Sequence, residues 1–121
     1  MSYSGTMIQF SLATDEFGQL QCTLSNGRVT AHATASKVED ALADLAGALE
    51  NAGGKGVGEC FWPRESGAYR WLIRKEGERG RLVVLWSIGT MTGWENVFWA
   101  EDEWAPLEQA ILSGVRGYAH A

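Results

Sequence analysis

Two prolines, two cysteines and two histidines are all that this chain has of three residue types that mark particular protein classes. Pro63 and Pro106 are too few for a polyproline or linker-rich protein. Cys22 and Cys60 stand far apart and make no disulfide framework; they read as reduced, buried thiols of a cytoplasmic protein. Together with His32 and His120 they show neither C-x-x-C nor H-x-x-x-H spacing, so no metal site is expected, and no cofactor. Long apolar runs are missing too. The longest strongly apolar stretch, Leu82–Trp86, is far too short to cross a bilayer. The opening "MSYSGTMIQFSLATDE" has neither the basic start nor the sustained apolar segment of a signal peptide. Positive charge is also in deficit: 10 Lys and Arg face 15 Asp and Glu, for a net charge of −5. Phosphate backbones and anionic membranes repel such a domain unless a local patch overrides the total, whereas a basic protein is attracted. Nucleic acid and membrane are therefore not expected as partners.

Catalytic motifs are equally scarce. "GGKGVG" at 53–58 has the glycines of a phosphate loop, but Gly56 follows Lys55 where Ser or Thr is needed, and a helix precedes it where a strand is needed. A dinucleotide fingerprint fails for the same topological reason. No G-x-S-x-G elbow is present. No catalytic residue is assigned, and the chain is not expected to be an enzyme.

What is present is a foldable domain. A chain of 121 residues, 45% of them apolar, forms one domain spanning 1–121 with a real core. Ile8, Phe10 and Leu12, then Leu20, Cys22 and Leu24, then Val29, Ala31, Ala33 and Ala35 alternate with polar residues, the period of half-buried strands. Asn26-Gly27 between the second and third sets is a hairpin signal, so the chain opens with a three-stranded antiparallel meander. Ser36 and Glu39 match a capping box. Val38, Ala41, Leu42, Leu45, Leu49 and Ala52 then form one helical stripe, stopped by Gly53-Gly54. Four strands follow near Val57–Trp62, Tyr69–Lys75, Arg81–Ser87 and Trp94–Ala100, with "RESGA" and "EGERG" as turns. A last helix starts between Asp102 and Ala105, with Pro106 in its first turn. The order βββαββββα predicts an α+β fold: a mainly antiparallel twisted sheet with both helices on one face.

Two segments concentrate charge. Arg64, Arg70, Arg74, Lys75, Arg79 and Arg81 are six of the ten cations. Alternation sends Trp71 to the face opposite Arg70 and Arg74, so this hairpin reads as a solvated, cross-strand-paired surface and not as a base-stacking platform. The second segment is "GWENVFWAEDEW" at 93–104, with Trp94, Trp99 and Trp104. If it is a strand, Trp94, Asn96 and Phe98 point one way and Glu95, Val97 and Trp99 the other, so one of the two indoles joins the core. Asp102 and Glu103 suit a helix N-terminus, where negative charge is favoured. Yet Glu95, Glu101, Asp102, Glu103 and Glu108 form a cation-free run. Aromatic anchors ringed by acids suit docking against a basic partner. Glu95, Trp99, Glu101, Asp102, Glu103, Trp104 and Glu108 are the candidate partner-binding residues.

The opening meander, "ASKVEDALADLAGAL" at 35–49, "YRWLIRKEGERGRLVVLW" at 69–86 and the acidic Trp-rich segment together resemble the immunity proteins of bacterial toxin–immunity pairs. Those are small, cytosolic, acidic α+β domains that bind and block a cognate toxin. The resemblance implies a non-catalytic protein that binds a cognate basic toxin, such as a nuclease, one to one. It assigns no residue roles. Two other readings stay open. One is a small ligand-binding or enzymatic domain, with a pocket between sheet and helix lined by tryptophans and Arg70 or Arg74. The other is an acidic secretion chaperone or homodimer that pairs strands through Leu82–Trp86.

Overall fold

A computed structural model describes residues 8–88 and 93–119. His120, weighed above as a metal ligand, lies outside them. Seven strands and two helices follow in the expected order: β1 (Gln9–Thr14), β2 (Leu20–Ser25), β3 (Thr30–Ala35), α1 (Val38–Lys55), β4 (Val57–Arg64), β5 (Gly67–Glu76), β6 (Arg79–Ile88), β7 (Glu95–Glu103) and α2 (Trp104–Ala119). The fold is α+β and its ladders are antiparallel.

The strands divide into two sheets, β1-β2-β3 and β4-β5-β6-β7, where the sequence suggested one. Their inner faces share a core. Leu20, Cys22, Leu24, Ala31, Ala33 and Ala35 come from the first sheet; Trp62, Trp71, Ile73, Leu82, Val84 and Phe98 come from the second. Phe10 meets Trp71 edge-on, with ring centroids 6.4 Å apart. Two hydrogen bonds give the relative direction of the sheets. Arg64 Nη2, at the end of β4, donates to Gln19 Oε1 in the β1–β2 turn at 3.1 Å. At the other end of β2, Asn26 Nδ2 donates to the Trp99 carbonyl of β7 at 2.9 Å. Since β4 and β7 are opposite edges of the larger sheet, the smaller sheet runs across it.

Both helices lie on that same inner face. α1 runs along β4 so closely that a Cβ on Gly58 would sit 1.7 Å from the Ala48 carbonyl oxygen. Trp62 Nε1, buried in the core, donates to the Ala41 carbonyl at 3.2 Å, which gives this indole the partner it needs. α2 sets Trp104 and Leu107 over Gly80 of β6. Nothing among the described helices or strands covers the outer face of the four-stranded sheet.

Several boundaries differ from expectation, and packing is the reason. The capping box does not form: Lys37 is the N-cap and no side chain bonds there. α1 passes through Gly53-Gly54 and stops at Gly56, whose φ of 93° is the left-handed conformation and whose N–H bonds Ala52 O. Each helical glycine costs roughly 1 kcal/mol against alanine. Burial of Ala52 and the Trp104 ring beside Gly53 outweigh that cost. The turns shrink to Glu65-Ser66 and Gly77-Glu78, and the flanking strands lengthen. Val29 is exposed and precedes β3. β7 continues to Glu103, so Asp102 and Glu103 are strand residues, and the first turn of α2 holds no acid.

Candidate functional site

Directly paired residues of an antiparallel ladder share a face, so the register maps the bare surface row by row. One row reads Val57, Arg74, Arg81, Glu101; the next Glu59, Leu72, Val83, Trp99; the next Phe61, Arg70, Leu85, Asn96. Arg79 opposes Glu76 on one side and Glu103 on the other. The first row and the Arg79 row make a charged end. The other rows make an aromatic and aliphatic end.

A bulge creates the aromatic end. The register between β6 and β7 shifts at Val84/Leu85, leaving Val97 without an opposite number. One extra residue reverses the alternation beyond it. Trp94 and Trp99, five positions apart, therefore meet on the same outer face, where simple alternation placed them on opposite faces. Neither joins the core: Trp94 is 40% exposed and Trp99 is 48% exposed. Trp94 lies over its neighbours on that face, 6.1 Å from the Phe61 ring by centroid. The Arg70 guanidinium sits beside both rings, 5.8 Å from the Phe61 centroid and 5.6 Å from that of Trp94, so the three groups form a triangle. Its Nε bonds Glu59 Oε2, so the cation is held by two rings and a carboxylate.

The acidic run is divided by the same geometry. Glu101 is on the outer face but is engaged by Arg81 Nη2 at 3.1 Å. Glu103 faces Arg79 in the ladder. Asp102 opposes Gly80 on the inner side and accepts the Glu103 N–H at 2.7 Å. Glu95 pairs with Trp86, whose ring packs on Tyr69 on the inner side of the sheet. Glu108 is half-buried on α2, facing Gly53 of α1. Trp104 is sealed at 8% exposure and belongs to the core, which removes it from the partner-binding set. Of the seven candidates, only Trp99, Glu101 and Glu103 share the outer face.

Sequence reasoning missed Trp94, Phe61 and Arg70 as members of this surface. Phe61 had a readable signal, since it alternates with the buried Cys60 and Trp62 on β4. Trp94 had none, because the bulge depends on how β6 and β7 pair. Of the other exposed acids, Glu39, Asp40, Asp44 and Glu50 lie on α1, and Glu16, Glu65 and Glu78 lie in turns. Asp40 and Asp44 border a cavity of about 220 Å3 shared with Phe61, Trp62 and Pro63. Arg70 and Arg74 do not line it; both lie on the outer sheet face.

Neither thiol is a ready nucleophile. Burial pushes the Cys60 thiol up to about 12, with the Asp44 and Glu59 carboxylates adding to the effect. Burial alone raises Cys22 as well. His32 is on the solvent side of the small sheet, where its Nδ1 meets Thr23 Oγ1 at 3.1 Å. Among the described residues no three His, Cys, Asp or Glu side chains gather as a metal site, and no helix is long and apolar enough to cross a membrane. β6 is flanked by β5 and β7, so Leu82–Trp86 offers no free edge for a second copy.

No protein-family model matches the chain, and neither a curated protein nor a solved structure matches it.

Proposed function

We propose that the chain is a non-catalytic protein-binding domain that neutralises a cognate basic toxin, a nuclease being the natural candidate, and that it docks through the outer face of the four-stranded sheet. The observation that carries this reading is the grouping of Trp94, Trp99 and Phe61, each at least 40% exposed, on one sheet face that no described element covers. Contiguous apolar surface of that kind marks an interaction site. Tryptophan and arginine are the residues that dominate interface energies, and Arg70 is already held against two rings and the Glu59 carboxylate.

Attraction and grip are separate in this scheme. On the outer face each glutamate has an arginine close by, so the local contact is apolar. The net charge of −5 and the exposed acids of α1 provide the long-range field that speeds encounter with a cation-rich partner. Neutralisation is by occlusion of the toxin's substrate path and needs no chemistry from this chain.

The test is calorimetry of the full chain against candidate basic toxins, repeated with Trp94→Ala and Trp99→Ala. Each substitution is expected to weaken binding by roughly 2 kcal/mol, about thirtyfold, mostly through faster dissociation. Added salt is expected to slow association. Binding that both alanine variants leave unchanged, in folded protein, would end the reading.

A further inference from the structure

β1 and β3 are the edges of the small sheet, and both lack the devices that protect the edges of the larger one; β1 is the one with a groove along its length. β4 carries Pro63 and lies beside α1. β7 is interrupted by its bulge, and its Trp99 carbonyl is taken by Asn26. Bulges, prolines and covering elements are how proteins keep sheet edges from pairing with other chains. β1, "QFSLAT", has no proline, no bulge and no charged side chain. Among the described residues its far edge has no ladder partner.

Beside that edge runs an open groove of about 690 Å3 between β1 and α2. Its α2 wall is made of Ala110, Ser113, Gly114 and Gly117, and Tyr118 closes one end by sharing a 2.6 Å hydrogen bond with Thr14 Oγ1. Every lining residue is uncharged, in a chain where 21% of residues are charged.

We propose that β1 pairs antiparallel with β1 of a second copy about a twofold axis, joining two three-stranded sheets into one of six strands. An unpaired backbone edge is complemented by another strand, and twofold pairing is the commonest closed assembly. The facing of the side chains suits self-pairing. Ile8, Phe10, Leu12 and Thr14 occupy the inner face, and Gln9, Ser11 and Ala13 the outer. An axis at Ser11 or at Leu12 brings inner residues opposite inner residues. The axis at Ser11 sets Phe10 against Leu12 of the other copy, over the small side chains of α2. Charge favours this surface over the rest of the molecule. Two copies with net charge −5 repel each other, but here they meet without opposing like charges.

The test is sedimentation velocity of the full chain over a range of micromolar concentrations. The wild type is expected to show a concentration-dependent dimer. Ser11 and Ala13 are exposed on the outer face, so replacing both by Lys preserves the monomer fold, which circular dichroism checks. Either axis position then sets lysine opposite lysine. The double variant S11K/A13K is expected to weaken the dimer more than about tenfold, and S11E/A13E likewise. An equimolar mixture of the two is expected to restore it as a heterodimer. A monomeric wild type, a dimer that survives both double variants, or a mixture that stays monomeric overturns the proposal. So does a dimer that Trp94→Ala with Trp99→Ala abolishes, since that places the contact on the outer face of the larger sheet.

Discussion

At Gly58 a hydrogen atom stands where any other residue would drive a Cβ to within 1.7 Å of the Ala48 carbonyl oxygen. The obstruction is helix backbone, which has no rotamer to turn away. Gly58→Ala is expected to cost at least about 3 kcal/mol, read as a fall in the urea midpoint, because α1 must lift off β4. The indoles divide in the same plain way. Trp104→Ala empties a core position and is expected to cost about 3–5 kcal/mol, whereas Trp99→Ala is expected to change stability by no more than about 0.5 kcal/mol. That contrast, measured by urea unfolding, separates the residue that builds the fold from the one assigned to binding. The buried thiols make stability depend on alkaline pH. Cys60 holds its proton to about 12 in the native chain, against 9.0 in the unfolded one. Below pH 9.0 both states keep the proton and the stabilisation is complete. Above it the unfolded chain ionises first, so unfolding becomes easier as pH rises toward 12. Urea midpoints are expected to decline across that window, and Cys60→Ala is expected to lessen the decline.

Among the elements, α1 offers two glycines with opposite requirements. Gly54 is inside the helix with open space where a Cβ would go, so Gly54→Ala is expected to stabilise by about 1 kcal/mol. Gly56 holds φ at 93°, which alanine adopts only under strain, so Gly56→Ala is expected to destabilise by about 1 kcal/mol or more. Thermal melts of the two variants should move in opposite directions. From the sequence alone the stop fell on Gly53-Gly54, because a glycine pair looks the same whether a helix passes through it or ends at it. What separates these glycines is tertiary: Ala52 is buried and Trp104 packs beside Gly53. The elements that were legible were those whose pattern is local. Leu20, Cys22 and Leu24 alternate and are buried; Asn26-Gly27 turns; Ala41, Leu45, Leu49 and Ala52 form the buried helix stripe. The candidate site was legible only in part, and β7 shows why. Its alternation is broken by a residue with no opposite number, and that break exists only once β6 lies alongside. Alternation sends one of Trp94 and Trp99 to the core without saying which; the acids beside Trp99 and Trp104 mark those two as surface, and Trp94 is left out.

On the scale of the whole molecule, two sheets, two helices and one shared core leave no part able to fold by itself. Phe10 of the first sheet needs Trp71 of the second, and α2 contacts both. Unfolding is expected to be a single transition, with tryptophan fluorescence and far-ultraviolet circular dichroism giving coincident curves. Two separated transitions would show that the small sheet detaches first. The arrangement of charge is also a property of the whole: on the outer face of the larger sheet the arginines stand on the middle strands and the glutamates, all but Glu76, on the edge strands, with further exposed acids on α1. No segment displays it, which is why a cation-free stretch of β7 looked more negative in sequence than the surface it helps to form. The crossing of the sheets has a mechanical consequence. Tied at Arg64 beside one margin and at Trp99 beside the other, the small sheet acts as a batten fixed across the back of a plank, resisting the twisting to which an unsupported four-stranded layer is prone. A partner docking on the front as proposed would meet a surface that does not bend to receive it, so tolerance for mismatched shapes would have to come from the partner.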